Sequence, residues 1–197
     1  MHRRRLLDWI TAYAARFPRE AEVVARFEAF VAAHPDCFER SCVPGHVTGS
    51  AWVVSHDGTR FLLTHHRKLG RWLQLGGHSD GDPDTAAVAL REATEESGIA
   101  GLTLAPVDDS VQPLDLDAHA IPARPDEPAH VHYDVRFLVV APPDAALTVS
   151  DESLALRWFA SNQPLTVDHD DSVARLRQKA RPYAPGRVSK VGTPSGT

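Results

Sequence analysis

The stretch Leu75-Gly76-Gly77-His78-Ser79-Asp80-Gly81-Asp82-Pro83-Asp84, running on through Thr85 to Ser97 and closing on Gly98-Ile99, decides how the rest of the chain is read. Asp82 is a side-chain cap with Pro83 at the first helical position, and Gly98 stands where a left-handed residue ends a helix, so the spacing predicts a helix over 82–97. At about 100° per residue Ala86, Leu90, Ala93 and Ser97 share one face, while Glu92, Glu95 and Glu96 lie opposite at i, i+3 and i+4. Three carboxylates then meet in the last turn, where the helix dipole is already negative and each like-charge pair adds about 0.2–0.5 kcal/mol of repulsion. Something positive is expected on that face, and clustered carboxylate oxygens suit a hard divalent cation such as Mg2+ or Mn2+. A solvated acidic helix end is the competing reading. Arg91, four residues before Glu95, can orient one of the acids, and the paired glycines let backbone groups approach a phosphate or a metal closely.

The charge balance points to the same place. Lys and Arg number 21 against 26 Asp and Glu, a formal charge of −5, and the segment from Gly77 to Ser97 alone carries six acids and one base, the same −5. Nothing in that balance favours duplex nucleic acid or a membrane surface as partner, whereas a small anionic ligand remains compatible. No run of about 18 apolar residues marks a membrane span, and no signal peptide is read. Cys37 and Cys42, the only cysteines, are too few for a disulfide framework and lack a second pair for zinc, which fits a reducing cytoplasm.

Working outward, residues 5–33 show apolar positions at helical spacing (Leu6, Trp9, Ile10, Tyr13, then Val23, Val24, Phe27, Phe30, Val31), with Pro18 placed to start a second helix. Strands are predicted at His46–Val54 and Arg60–His65 across a His56-Asp57-Gly58 turn, at Trp72–Leu75, Leu102–Val107, Val131–Val140 and Leu154–Phe159. A last helix is predicted over Asp171–Ala180. The fold class is therefore α/β, a mixed-sheet sandwich rather than a doubly wound sheet. Its parts are a two-helix N-terminal extension (1–42), a main domain (43–182) and a flexible, Pro/Gly/Ser-rich tail (183–197). The acidic stretch from Asp108 to Pro128 reads as a loop.

Gly77, Arg91-Glu92, Glu95-Glu96 and Gly98-Ile99 resemble the signature box of the Nudix hydrolases: Gly, five residues, Glu, seven residues, then Arg-Glu-aliphatic-any-Glu-Glu-any-Gly-aliphatic. Six fixed positions match, an agreement expected by chance at one start position on the order of once in ten million. Two positions depart: Pro83 replaces the first box Glu, and the small Ala93 stands at the aliphatic position. Asp82 or Asp84 is a candidate to supply the missing charge. The resemblance implies an α/β/α sandwich and hydrolysis, by water attack on phosphorus, of a nucleoside diphosphate linked to another moiety, with Mg2+ or Mn2+ as cofactor. Carried over by position, it implies Glu92, Glu95, Glu96 and the Gly76 carbonyl as metal ligands and Arg91 as an orienting residue. Gly77 and His78 fall on the substrate side, and Glu95, Glu96 or a later acid serves as general base. A metal bridging phosphate oxygens would lower the repulsion facing the water.

Outside the box, Glu152, just before the last predicted strand, is the choice for that later acid; its other reading is a solvent-facing loop residue. Eleven histidines invite a zinc reading, with His65-His66, His78 and His130-Val131-His132 as candidates. Adjacent strand residues point to opposite faces, so His65 and His66 cannot share an ion, whereas His130 and His132 can share a face. Structural or substrate-contact roles rank ahead of zinc, with His78 first as a substrate contact. Trp52, Trp72 and Trp158 read as core, and Arg67, Lys68 and Arg71 as a solvated turn around Gly70. Two alternatives on the same fold are a ligand-sensing Nudix module, which would be free to lose its metal carboxylates, and an isopentenyl-diphosphate isomerase, which resembles this chain in its Gly-His pair but needs a catalytic cysteine. A homodimer through the extension is left open.

Overall fold

In the computed structural model, which describes residues 2–125 and 127–183, β1 (Gly45–Val54) is buried along its whole length and the sheet is built around it. It runs parallel to β7 (His130–Val140), from Gly45 opposite Val131 to Val54 opposite Val140. On its other side it pairs antiparallel with β4 (Leu75–His78) and, at its far end, with β2 (Arg60–His66). β2 carries β3 (Trp72–Leu73) and β8 (Ser153–Ala160); β7 carries β6 (Asp115–Ile121) and the short β5 (Thr103–Leu104). Among the described residues the result is one mixed sheet of eight strands.

Strand alternation gives this sheet two unlike sides. On one, Val47, Ala51 and Val53 of β1 with Val135, Phe137 and Val139 of β7 pack under α1 (Arg4–Arg16), α2 (Ala21–Ala33) and α3 (Thr85–Ser97). On the other, Trp52, Val54, Phe61, Leu63 and Leu138 form a second cluster with Val173 and Leu176 of α4 (Asp171–Ala180). This is the expected α/β/α sandwich. The predicted extension spends its apolar stripe on this chain's own sheet. Trp9 meets Phe137 edge-on at 5.1 Å and Phe30 stacks on Tyr133 at 3.9 Å, so α1, α2 and the sheet share one core. Pro18 opens a short 3-10 turn, Pro18–Glu20, before α2.

One strand overturns the sequence reading. Asp115–Ile121 is β6, not part of a loop: Leu116 is buried on the apolar side while Asp115 and Asp117 point to the α4 side. There Arg136 donates to Asp134 (2.7 Å), Asp115 (3.2 Å) and Asp117 (3.1 Å), Arg175 donates to Asp115 and Asp117, and Lys179 donates to Asp115 at 2.7 Å. These cations hold the Asp115 carboxyl below the usual range despite burial, and at Asp117 the His119 ring, 2.9 Å away, does so together with Arg136 and Arg175. The alternation was present, but its acids resembled loop composition because their partners lie in β7 and α4. Of the tail, residues 184–197 lie outside the described residues. Among the described residues, no helix is long and apolar enough to cross a membrane.

Candidate active site

The segment before α3 folds as a turn, then a cap. The Asp82 amide donates to the Ser79 carbonyl, and the Asp82 carboxylate accepts from the Asp84 amide, both at 2.9 Å. Asp84, rather than Asp82, is the N-cap, accepting from the Ala87 amide at 3.3 Å, and the helix starts at Thr85. The Asx turn at Asp82 engages the side chain that would have capped an earlier start. Gly98 closes the helix in the left-handed region at φ 68°, as predicted. Asp84 also pairs with Arg5 of α1, and Asp82 lies 4.0 Å from Arg91. Both candidates for the charge missing at Pro83 therefore face arginines, which argues against that compensation.

α3 lies over β1 and β4, and close backbone approach fixes what stands at the junction. A Cβ on Gly76 would collide with the backbone of Ser50 and Gly49, whereas one on Gly77 would collide with the Glu92 carboxylate. Glu92 thus occupies the space that the missing side chain leaves. Arg91 secures it: its Nη2 donates to the His78 carbonyl at 3.0 Å and to Glu92 Oε1 at 2.9 Å. The arginine orients Glu92 rather than Glu95, four residues on.

The three glutamates differ in depth. Glu95 is exposed, Glu92 is half-buried, and Glu96 is only 8% exposed, with Oε2 lacking a hydrogen-bond partner among the described residues. Burial pushes the Glu96 carboxyl up to about 8, an effect the Gly76 amide opposes and the Glu152 and Glu92 charges reinforce. Burial likewise raises Glu92, against the pull of Arg91. The orphaned oxygen, the raised carboxyls and the glycine cradle fit a divalent cation, a ligand set of hard oxygens.

Glu152 stands on the loop before β8, close enough for its charge to act on Glu96. That loop is tied down. The Arg67 amide donates to the Glu152 carbonyl (3.0 Å), its guanidinium donates to the Asp151 (2.8 Å) and Ser153 (3.0 Å) carbonyls, and the Thr64 and Ser153 hydroxyls meet at 2.6 Å. Arg67 is therefore engaged by protein, and Arg71 lies 3.4 Å from Asp168. Of the tryptophans, Trp52 is core, while Trp72 and Trp158 are half-buried, Trp72 beneath Arg157 at 5.0 Å.

The histidines singled out in the sequence divide into two places. His65 stacks on Trp72 at 5.1 Å, apart from His66 across a bulge. His78, His130 and His132 converge with two residues the sequence reading did not single out, His46 and His119. Burial lowers His46 to about 4 and also lowers His78 and His132, which favours the uncharged rings. Their grouping depends on the parallel pairing of β1 with β7, which no local spacing encodes.

A model of the NUDIX domain matches residues 45–179. A comparison with curated proteins finds no match. Among solved structures, the chain is similar to a Nudix-family hydrolase from Clostridium perfringens (21% identity, 69% of this chain and 96% of that one, TM-score 0.51). It is also similar to a C. elegans Ap4A hydrolase (18%, 68% and 94%, 0.52) and to the M. smegmatis Nudix hydrolase RenU (16%, 75% and 90%, 0.53). At these identities the structures speak for the fold, while the domain match covers well over half of the sequence and contains the whole glutamate-bearing turn and helix: the chain belongs to the Nudix family.

Proposed function

We propose that this chain is a pyrophosphohydrolase that cleaves the diphosphate linkage of a nucleoside diphosphate joined to another moiety, using Mg2+ or Mn2+. The observation that carries the reading is the buried, partnerless Glu96 carboxylate beside the half-buried Glu92. Glu92, Glu95, Glu96 and the Gly76 carbonyl would hold the ion. Once bound, a divalent cation polarises phosphate oxygens and eases attack by water. Arg91 fixes Glu92 against the His78 carbonyl, so the carboxylate is positioned before a ligand arrives. Glu152, on a loop tied to β2 and within the field of Glu96, would accept the proton that the attacking water loses; Glu95 and Glu96 are the other candidates for that role. Gly77 leaves the space beside Glu92 open, whereas the His78 side chain turns to the other face of β4, so only the carbonyl of His78, held by Arg91, belongs to this site and the substrate contact read for its ring is not kept. A sensing module would not need to keep three ligand acids. The isomerase reading lacks its nucleophile, since burial pushes both cysteine thiols up to about 11 in the segment between α2 and β1. Free thiols there fit the cytoplasm as location.

The test is a panel of nucleoside triphosphates, ADP-ribose, nucleotide sugars, dinucleoside polyphosphates and capped RNA, each with Mg2+ and with Mn2+, followed by product analysis. Turnover of one class, abolished in Glu92→Gln and Glu96→Gln, is the expected outcome. Folded protein that turns over none of them, or full activity in both variants, overturns the reading.

A further inference from the structure

Beneath the N-terminal ends of β1 and β7 lies a second cluster of ligand-type side chains, on the side of the sheet away from α3. Parallel pairing sets His46 opposite His132, and His130, two residues earlier, faces the same side. Antiparallel pairing brings His78 opposite Thr48, and His119 opposite His132. The His46, His130 and His132 rings lie 4.8–5.0 Å apart, and one nitrogen from each falls within 4.8 Å of the other two.

Their hydrogen bonding is incomplete. Both ring nitrogens of His46, and Nε2 of His130 and of His132, are buried without a partner among the described residues. Buried polar groups ordinarily find partners, and a core histidine kept for packing would have one. His130 also carries a signature of metal-ligating imidazoles. Its Nδ1 donates to the Pro128 carbonyl at 2.9 Å, which leaves Nε2 as the nitrogen available to an ion. Three imidazoles that bring nitrogens this close together form a donor set that an acceptor of electron pairs can complete.

We propose that His46, His130 and His132 bind one divalent transition ion of the zinc class, with His78 facing the fourth position. Nitrogen donors suit Zn2+ or Co2+ and not Mg2+, which separates this site chemically from the glutamates of α3. The two sites also separate in space, because Gly77 turns toward Glu92 while His78, the next residue, turns to the other side of β4. Tetrahedral bonds of about 2.0–2.1 Å put nitrogens about 3.3 Å apart, so the rings need to close by about 1.5 Å at most from their present spread. Glu127 Oε1, 3.6 Å from His130 Nε2, adds negative charge at the rim. The site would pin the ends of β1 and β7 together.

The assay uses tag-free full-length protein, stripped with chelator and titrated with Co2+ followed by visible absorption, and with Zn2+ in competition with a chromophoric chelator. One equivalent bound in a pseudo-tetrahedral nitrogen environment is expected, retained in the triple variant Glu92→Gln, Glu95→Gln, Glu96→Gln. Affinity should fall more than about 100-fold in His132→Ala and His46→Asn, beyond the 10- to 100-fold typical of outer-shell losses. If either variant unfolds, hyperfine-shifted imidazole N–H resonances of the Co2+-loaded parent count the histidine ligands, and three are expected. Folded parent protein that takes up no Co2+ or Zn2+, a signal that disappears with the triple variant, equal affinity in folded histidine variants, or no shifted imidazole resonance overturns the proposal. None of these outcomes bears on the hydrolase reading, which rests on the glutamates.

Discussion

Glu96→Gln separates burial from metal binding in one residue. The Glu96 carboxyl titrates near 8 in the folded chain against an ordinary 4.5, so between these values the folded state keeps a proton that the unfolded chain has released. The stabilising contribution is therefore full below the ordinary value and is lost as pH rises through the folded one. From about pH 6 to about pH 9 the parent should lose about 2–3 kcal/mol relative to Glu96→Gln, which has no proton to lose there. Urea unfolding in EDTA at the two pH values reads this difference, and the groups common to both proteins cancel. Mg2+ should then offset that loss at the higher pH, adding about 2.7 kcal/mol to the parent at a hundredfold excess over its dissociation constant and little to the variant. Parallel pH profiles for the two proteins would refute the claim that Glu96 is held against its charge. Equal protection by Mg2+ would refute the assignment of that charge to the ion.

Gly77→Ala should leave the fold near its parent stability yet cut metal affinity and turnover about 10- to 100-fold, because its methyl group meets only the Glu92 carboxylate. Gly76→Ala meets the backbone of Ser50 and Gly49 instead and should fail in a thermal melt before activity is measured. Arg136→Met removes the cation shared by Asp134, Asp115 and Asp117 and should cost about 3–5 kcal/mol in denaturant unfolding near pH 7. Trp9→Ala should cost about 3–5 kcal/mol in one cooperative transition, since the ring packs on Phe137 in the shared core; a separate early transition for the first two helices would show that they form an independent unit.

What local pattern encodes was legible. Caps and a 3.6-residue period fixed α3 to within three residues at its start, because a helix sets spacing by itself. Depth was not legible. Glu95 and Glu96 are neighbours in sequence, but one is exposed and the other buried, and the difference is made by β4 lying beneath the helix. β6 escaped because a strand carrying Asp115 and Asp117 reads as solvated until Arg136, Arg175 and Lys179 are known to cover it. His46 escaped for a related reason: its neighbours arrive from β7 and β4, and register across strands is a tertiary property.

The two sides of the sheet treat buried acids differently, and the contrast bears on function. Asp115 is fully buried and held below the usual carboxylate range, because three cationic side chains reach it within 3.2 Å. Glu96 is nearly as deep, yet one of its oxygens has no partner and its carboxyl is pushed up to about 8. The arginine nearest in sequence, Arg91, gives its guanidinium to Glu92 and the His78 carbonyl. A chain able to neutralise an acid internally has done so on the α4 side. Beneath α3 it leaves a geometrically fixed, energetically unfavourable carboxylate that a cation from solution can complete. Strain retained at a site and offset by packing elsewhere is what a binding function requires and what stability alone would remove.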